Sequence, residues 1–97
     1  MRTYELMFIL KPDLAEEEIV ETKDRLKQII ADFGGEFVNE ADGWGKKRLA
    51  YNIDNYTEGI YSLWYLKGQP DTAQELDRVI KLSDRYLRHI IIRQEEK

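Results

Sequence analysis

The sequence contains no cysteine and a single histidine, His89. The lack of cysteine excludes disulfides, thiolate metal sites and cysteine nucleophiles, and it is typical of proteins from reducing compartments. One histidine cannot form a metal site built from several imidazoles. No apolar run approaches the ~20 residues of a membrane-spanning helix. The N-terminal segment also lacks the small-residue cleavage site of a signal peptide, so we expect a cytoplasmic protein without a membrane anchor.

Basic residues are outnumbered by acidic ones, 15 against 19, and the formal net charge is −4. A negative total argues against a nucleic-acid partner. The charges are segregated, however: residues 13–24 are strongly acidic, whereas residues 46–48 and 78–93 are basic. Because salt screens charges beyond about 10 Å, the local potential decides whether phosphates bind. The charge pattern is therefore compatible with RNA binding.

Alternation of apolar and polar residues predicts four β-strands. They cover residues 3–10, 36–51, 59–67 and 86–93. Gly43 and Gly45 interrupt the second strand, so we expect a bend or bulge there. Residues 52–58 are polar and predict a turn, and the tail after Arg93 (QEEK) is expected to fray.

Two segments with helical spacing of apolar residues predict α-helices. The first runs from about residue 14 to residue 33, with Asp13 as its cap and Glu16 completing a capping box. Two glycines at positions 34 and 35 end it. The second helix follows a break at residues 68–70, with Asp71 or Thr72 as its cap, and ends near Ser83.

The resulting β-α-β-β-α-β order predicts one α+β domain over residues 1–97 with the ferredoxin-like split β-α-β fold. This fold is a four-stranded antiparallel sheet with two helices on one face. The other face is then uncovered. We expect it to present apolar side chains from the first and third strands, namely Met7, Ile9, Tyr61, Leu63 and Tyr65. Exposed apolar clusters usually mark an interface.

Catalytic signatures are missing from the sequence. It has no Gly-x-Ser-x-Gly, Walker or dinucleotide-binding motif. A run of glutamates at positions 16–18 is most simply a solvated helix start. A lone histidine in a strand, as His89 is, is more often structural than catalytic. We therefore expect a binding protein without a cofactor or metal, not an enzyme.

Three successive basic residues, Lys46, Lys47 and Arg48, lie between Trp44 and Tyr51. Basic groups interleaved with aromatics suit RNA backbone and exposed bases. The same triplet could also be a solvated edge, or could protect an edge strand from aggregation. Trp44 is expected to shape the strand, and Tyr51 is expected to pack.

Four spaced motifs occur in order along the chain. Met-Arg-x-Tyr-Glu begins it, Trp-Gly-Lys-Lys-Arg-Leu-Ala-Tyr occupies residues 44–51, Gly59 opens the third strand, and Arg88-His89 precedes three isoleucines. In these motifs, from residue 1 to about residue 93, the chain resembles the bacterial small-subunit ribosomal protein six family. The resemblance implies the same fold and a ribosome-associated, structural RNA-binding protein. It also implies pairing with ribosomal protein eighteen and contact with the central domain of small-subunit ribosomal RNA.

Site residues follow partly from this resemblance. It assigns Arg2, Tyr4 and Arg88, with the adjacent His89, to RNA, and it matches Lys47 and Arg48 to a basic pair of the family. Lys46 joins the RNA candidates as a member of the triplet. The resemblance assigns the open-face residues of the third strand to binding of the partner protein, and we add the open-face residues of the first strand. The predicted partner-binding residues are Met7, Ile9, Tyr61, Leu63 and Tyr65. It stays open whether residues 46–48 face RNA or the partner, and whether the isolated chain self-associates weakly.

The main alternative is a ferredoxin-like regulatory domain that binds a small metabolite and dimerises through its sheet. It predicts a glycine-rich loop after the first strand, where this chain has Lys11-Pro12-Asp13. An acylphosphatase-like hydrolase would need an arginine in an anion cradle at the same junction. A generic RNA-recognition fold would need a strand-three motif that GIYSLWYLK does not match.

Overall fold

A computed structural model describes residues 1–94 of the chain. The elements are β1 (Arg2–Leu10), α1 (Glu16–Asp32), β2 (Glu36–Glu40), β3 (Lys46–Ile53), β4 (Tyr56–Gly68), α2 (Pro70–Leu82) and β5 (Tyr86–Gln94). Gln94, which was predicted to fray, is the last residue of β5. The same prediction for residues 95–97 lies outside the described residues. Among residues 1–94, neither α1 nor α2 combines the length and the apolar composition of a membrane-spanning helix.

The sheet is antiparallel and has the strand order β2-β4-β1-β5, with β3 paired to the other end of β4. Both helices pack on one face through the residues that form the core. The α+β fold predicted from the sequence is therefore confirmed. Within residues 1–94 the sheet has five strands, not the expected four.

The fifth strand arises because the predicted strand over residues 36–51 is interrupted. Residues 41–45 leave the ladder in a loop that contains Gly43 and Gly45, whose φ angles are +82° and +139°. Its ends remain attached to β4, because the Ala41 N–H donates to the Leu63 carbonyl at 2.8 Å and the Tyr61 N–H donates to the Gly45 carbonyl at 2.8 Å. The chain then continues along β4 as β3. The expected bend is thus a complete break in strand pairing.

The predicted turn over residues 52–58 is shorter than expected. Only Asp54 and Asn55 separate β3 from β4, with φ angles of 49° and 69°. Asp and Asn tolerate the left-handed conformation better than most residues, which suits a two-residue hairpin turn. The other residues of the predicted turn pair as strands.

Both predicted helix caps are wrong, by two positions or more. The N-cap of α1 is Ala15, whose N–H donates to the Glu18 carboxylate at 2.9 Å. Asp13 instead accepts a hydrogen bond from the Tyr56 hydroxyl at 3.3 Å. The α2 helix begins earlier than expected, with Gln69 as its cap, because Pro70 has a φ angle suited to the first helical position.

The main core lies between the helices and one sheet face. It consists of Tyr4, Leu6, Phe8, Leu10, Leu26, Ile29, Ile30, Trp64, Leu66, Leu76 and Ile80. Trp64 is 1% exposed, and its ring meets the rings of Phe8 and Phe37 edge-on, at centroid distances of 5.3 and 4.7 Å. Such contacts fix the position of β4 beneath both helices.

Glu40, at the end of β2, connects this core to α1. Its Oε1 atom accepts hydrogen bonds from Trp64 Nε1 at 2.6 Å and from Lys23 Nζ at 2.9 Å. Partial burial raises the pKa of the Glu40 carboxyl, but the hydrogen bonds from Lys23 and Trp64 outweigh it, so the pKa lies below its ordinary value. The ionised carboxylate therefore stabilises the folded chain.

Candidate nucleic-acid and protein interface

The sheet face opposite the helices presents apolar side chains from three adjacent strands. In the register, Met7 lies between Leu63 on β4 and Ile90 on β5. Ile90 is 45% exposed and Leu63 is half-buried. One step along, Glu5 lies between Tyr65 and Ile92. We call the surface formed by Met7, Leu63, Tyr65, Ile90 and Ile92 the open face. The structure thus brings together three of the five side chains predicted to bind a partner, and Tyr61 lies beside them on β4.

Ile9, also predicted for the partner, is buried. It is 5% exposed and packs with Leu49 and Leu87 in a second, smaller cluster. The cluster forms because Leu49 of β3 covers this end of the sheet face opposite the helices. Ile9 therefore belongs to the packing of the hairpin and is removed from the candidate interface.

A groove lies between this hairpin and β5. Its lining includes Tyr51 on one side, Arg88 and Ile90 on the other, and Met7 and Tyr61 between them. Tyr51 was expected to pack, but it is 66% exposed. It therefore adds an accessible aromatic ring beside the open face.

The basic triplet lies on β3 and all three of its side chains are exposed. Alternation along the strand places Lys47 on the same side as Leu49, and Lys46 and Arg48 on the other. Lys47 Nζ lies 5.1 Å from the centroid of the Trp44 ring. The side chains of the triplet are therefore divided between the two sides of β3, and only that of Lys47 borders the open face.

Two arginines predicted to bind RNA, Arg2 and Arg88, lie at opposite ends of the sheet. Arg88 is exposed and pairs with Ile9, near the end where β3 is attached. Arg2 pairs with Gly68 at the other end. Arg88 therefore shares a region with Lys47 and the groove, whereas Arg2 does not.

Tyr4 and His89 do not reach the open face. Tyr4 is 5% exposed and belongs to the main core, so its ring is unavailable for stacking on a base. His89 Nε2 is 2.6 Å from Asp77 Oδ1 on α2, and this hydrogen bond, together with one from Lys81, lowers the pKa of the Asp77 carboxyl. Neighbouring residues of a strand point to opposite faces, so Arg88 and His89 face different sides of the sheet.

Two residues of the open face, Ile90 and Ile92, were not predicted from the sequence. Ile90 and Ile92 are 45% and 47% exposed, and they share a side with Met7. The signal was available, because period-two alternation on the last strand places residues 88, 90 and 92 together. The run of three isoleucines obscured it, since both sides of the strand are apolar.

The acidic surface belongs to the helix layer. Glu16, Glu17 and Glu18 form the first turn of α1. Arg85 is 3.1 Å from Glu21 and 3.7 Å from Glu18, so one cation of the basic C-terminal segment is directed to this layer. The open face and its basic border are thus on the side of the sheet away from the acidic turn.

Comparison with known proteins identifies the family. The model of the family described as ribosomal protein S6 matches residues 3–93. The chain is 73% identical over 97 residues to small ribosomal subunit protein bS6 of Syntrophomonas wolfei subsp. wolfei, and the match covers 100% of both chains. It is 46% identical to the protein of the same name from Moorella thermoacetica, over 100% of this chain and 98% of that one.

A solved structure agrees with this assignment. The crystal structure of 30S ribosomal protein S6 from Thermotoga maritima superposes with a TM-score of 0.87 at 30% sequence identity. The match covers 96% of this chain and 87% of that one. The chain therefore belongs to the ribosomal protein S6 family.

Proposed function

We propose that the chain is a structural, non-enzymatic protein of the small ribosomal subunit, where it binds the central domain of the ribosomal RNA together with ribosomal protein eighteen. The observation that best supports this is the open face, where Met7, Leu63 and Ile90 adjoin one another on three strands. Antiparallel sheets that face water normally alternate apolar and polar sides. An apolar side left without helices indicates a protein interface.

The partner protein covers the open face in this proposal. Removing its apolar side chains from water stabilises the complex by roughly 25 cal/mol per Å² of apolar surface buried. Ile90 and Ile92 are about half exposed, so they have surface left to bury. Tyr65 adds an aromatic side chain of the kind enriched at interface centres.

RNA contacts the basic border of this face. Arg88 lines the groove from β5, and Lys47 is exposed on β3 on the same side of the sheet, so phosphates can approach both. Such contacts position an RNA and read its shape more than its sequence. The acidic first turn of α1 lies on the other side of the sheet and therefore does not repel the RNA at this surface.

The test is reconstitution with a central-domain RNA fragment. We expect the chain and ribosomal protein eighteen to form a complex, and this complex to bind the fragment more tightly than either protein alone. The affinity should fall steeply as salt rises, because phosphate contacts release counterions. Independent binding by the two proteins, with no gain in affinity when they are combined, would contradict the proposal.

A further inference from the structure

The loop over residues 41–45 holds Trp44 in a defined position. Gly43 and Gly45 have φ angles of +82° and +139°, and an added Cβ at either would meet nothing within 4 Å. Glycine is needed there for its backbone conformation rather than for space. Hydrogen bonds from Ala41 to Leu63 and from Tyr61 to Gly45 fix both ends of the loop to β4. The loop is a short, anchored support for the Trp44 side chain.

Trp44 does not serve the core. Its side chain is 39% exposed, whereas the core tryptophan, Trp64, is 1% exposed. The Trp44 ring lies 6.1 Å from the Tyr61 ring, centroid to centroid, with 34° between their planes. Lys47 Nζ lies 5.1 Å from the same indole ring. Two aromatic rings and a cation thus adjoin one another at the surface beside the groove.

We propose that Trp44 and Tyr61 form a stacking platform for one unpaired base of an RNA, with Lys47 contacting the phosphate of that nucleotide. This deepens the proposed function and rests on it. Unpaired bases stack on aromatic side chains in sequence-tolerant RNA binding, and neighbouring cations bind the backbone. The contact between Lys47 and the indole is a weak one at an exposed site, so the lysine can move from the ring to a phosphate.

The charges favour RNA over a protein as the occupant. Lys47 is exposed on the same side of β3 as the groove, and Arg88 is exposed on β5 along that groove. The acidic Glu58 of β4 pairs with Arg48, whose side chain lies on the other side of β3 from Lys47. A cation that contacts an exposed indole, with a second cation along the groove, suits a nucleotide, which offers both a base to stack and a phosphate to bind.

The experiment uses the complex of this chain, ribosomal protein eighteen and the central-domain RNA fragment. Ultraviolet irradiation crosslinks stacked bases to aromatic side chains, and mass spectrometry then locates nucleotide adducts on peptides. We expect an adduct on Trp44 or Tyr61. Trp44→Leu should lower the affinity for the RNA about tenfold with the salt slope unchanged, and Trp44→Phe should retain most of the affinity. Lys47→Gln should reduce the salt slope by about one.

The matched control is Phe33→Leu, because Phe33 is 38% exposed at the end of α1, on the helix layer. It should change neither affinity nor crosslinking. Tight RNA binding by Trp44→Leu with no adduct on this platform would overturn the inference and leave the proposed function intact. Loss of pairing between Trp44→Leu and protein eighteen without RNA would show that the platform is a protein contact, which also overturns it. Failure of the wild-type complex to bind the RNA would overturn both proposals.

Discussion

Leu63 lies directly opposite Met7 in the antiparallel register of β4 and β1, on the sheet face that neither helix covers. A glutamate at position 63 would place a charge in the centre of the proposed protein interface. Burying it without a partner is unfavourable, so Leu63→Glu should weaken binding to ribosomal protein eighteen by about 2 kcal/mol or more. Isothermal titration calorimetry of the two proteins measures this difference.

The matched control for this variant is Leu82→Glu. Leu82 is 75% exposed at the end of α2, so it receives the same substitution outside the open face. Binding of this variant should equal that of the wild type. Equal binding by Leu63→Glu would move the interface to another surface.

Substitution of Arg88 tests whether the basic border of the open face binds RNA. The exposed Arg88 side chain borders the groove, so Arg88→Gln should weaken RNA binding by the complex of the two proteins and flatten its salt dependence by about one unit. Filter binding of the central-domain fragment at several salt concentrations measures both quantities.

Two further arginine variants locate this effect. Arg25→Gln removes the same charge from an exposed position on α1 and should leave the salt slope unchanged. Arg2→Gln probes the opposite end of the sheet. If Arg88→Gln and Arg25→Gln reduced the salt slope equally, RNA binding would depend only on the total charge of the protein. That result would contradict a defined RNA-binding surface.

The lowered pKa of Glu40 leads us to expect that the stability of the fold depends on pH. The pKa of this carboxyl is lowered from the ordinary 4.5 in the folded chain, where it accepts hydrogen bonds from Trp64 and Lys23. A depressed pKa means that the stabilisation is complete above the pKa of the unfolded carboxyl and is lost as pH falls through the folded value. Glu40→Gln should therefore be about 1 kcal/mol less stable at pH 7, and less sensitive to acid over this window.

Urea unfolding at pH 7 and at pH 3 measures this effect. Glu36→Gln is the control, because Glu36 is an exposed residue of the same strand. It should keep the acid sensitivity of the wild type. If Glu40→Gln also kept it, the hydrogen bond to Trp64 would not depend on ionisation.

Much of the fold could be predicted because it depends on local periodicity. Alternation in β1 predicts that Met7 lies on the open face, and the structure places it there opposite Leu63, with Leu6 and Phe8 in the core on the other side. The same alternation places Tyr4 on the side of Leu6, which is the core side. The resemblance to a family instead assigned it to RNA, and burial corrects that assignment.

The remaining differences depend on contacts distant in sequence. The burial of Ile9 by Leu49 depends on how the hairpin packs over the sheet, which no single strand encodes. The hydrogen bond between Trp64 and Glu40 joins residues 24 positions apart. The exposure of Trp44 follows from two glycine conformations and two loop hydrogen bonds, so the sequence predicted a bend and not a presented side chain.

Sedimentation of a cell extract through a sucrose gradient shows whether the chain is bound to small ribosomal subunits. The tagged chain should co-migrate with small ribosomal subunits at low salt, and high salt or denaturant should release it, because phosphate contacts weaken as salt rises. Leu82→Glu should sediment like the wild type, whereas Leu63→Glu should be depleted from the subunit peak. A wild-type chain that remained at the top of the gradient at low salt would show that it is not a component of the small subunit.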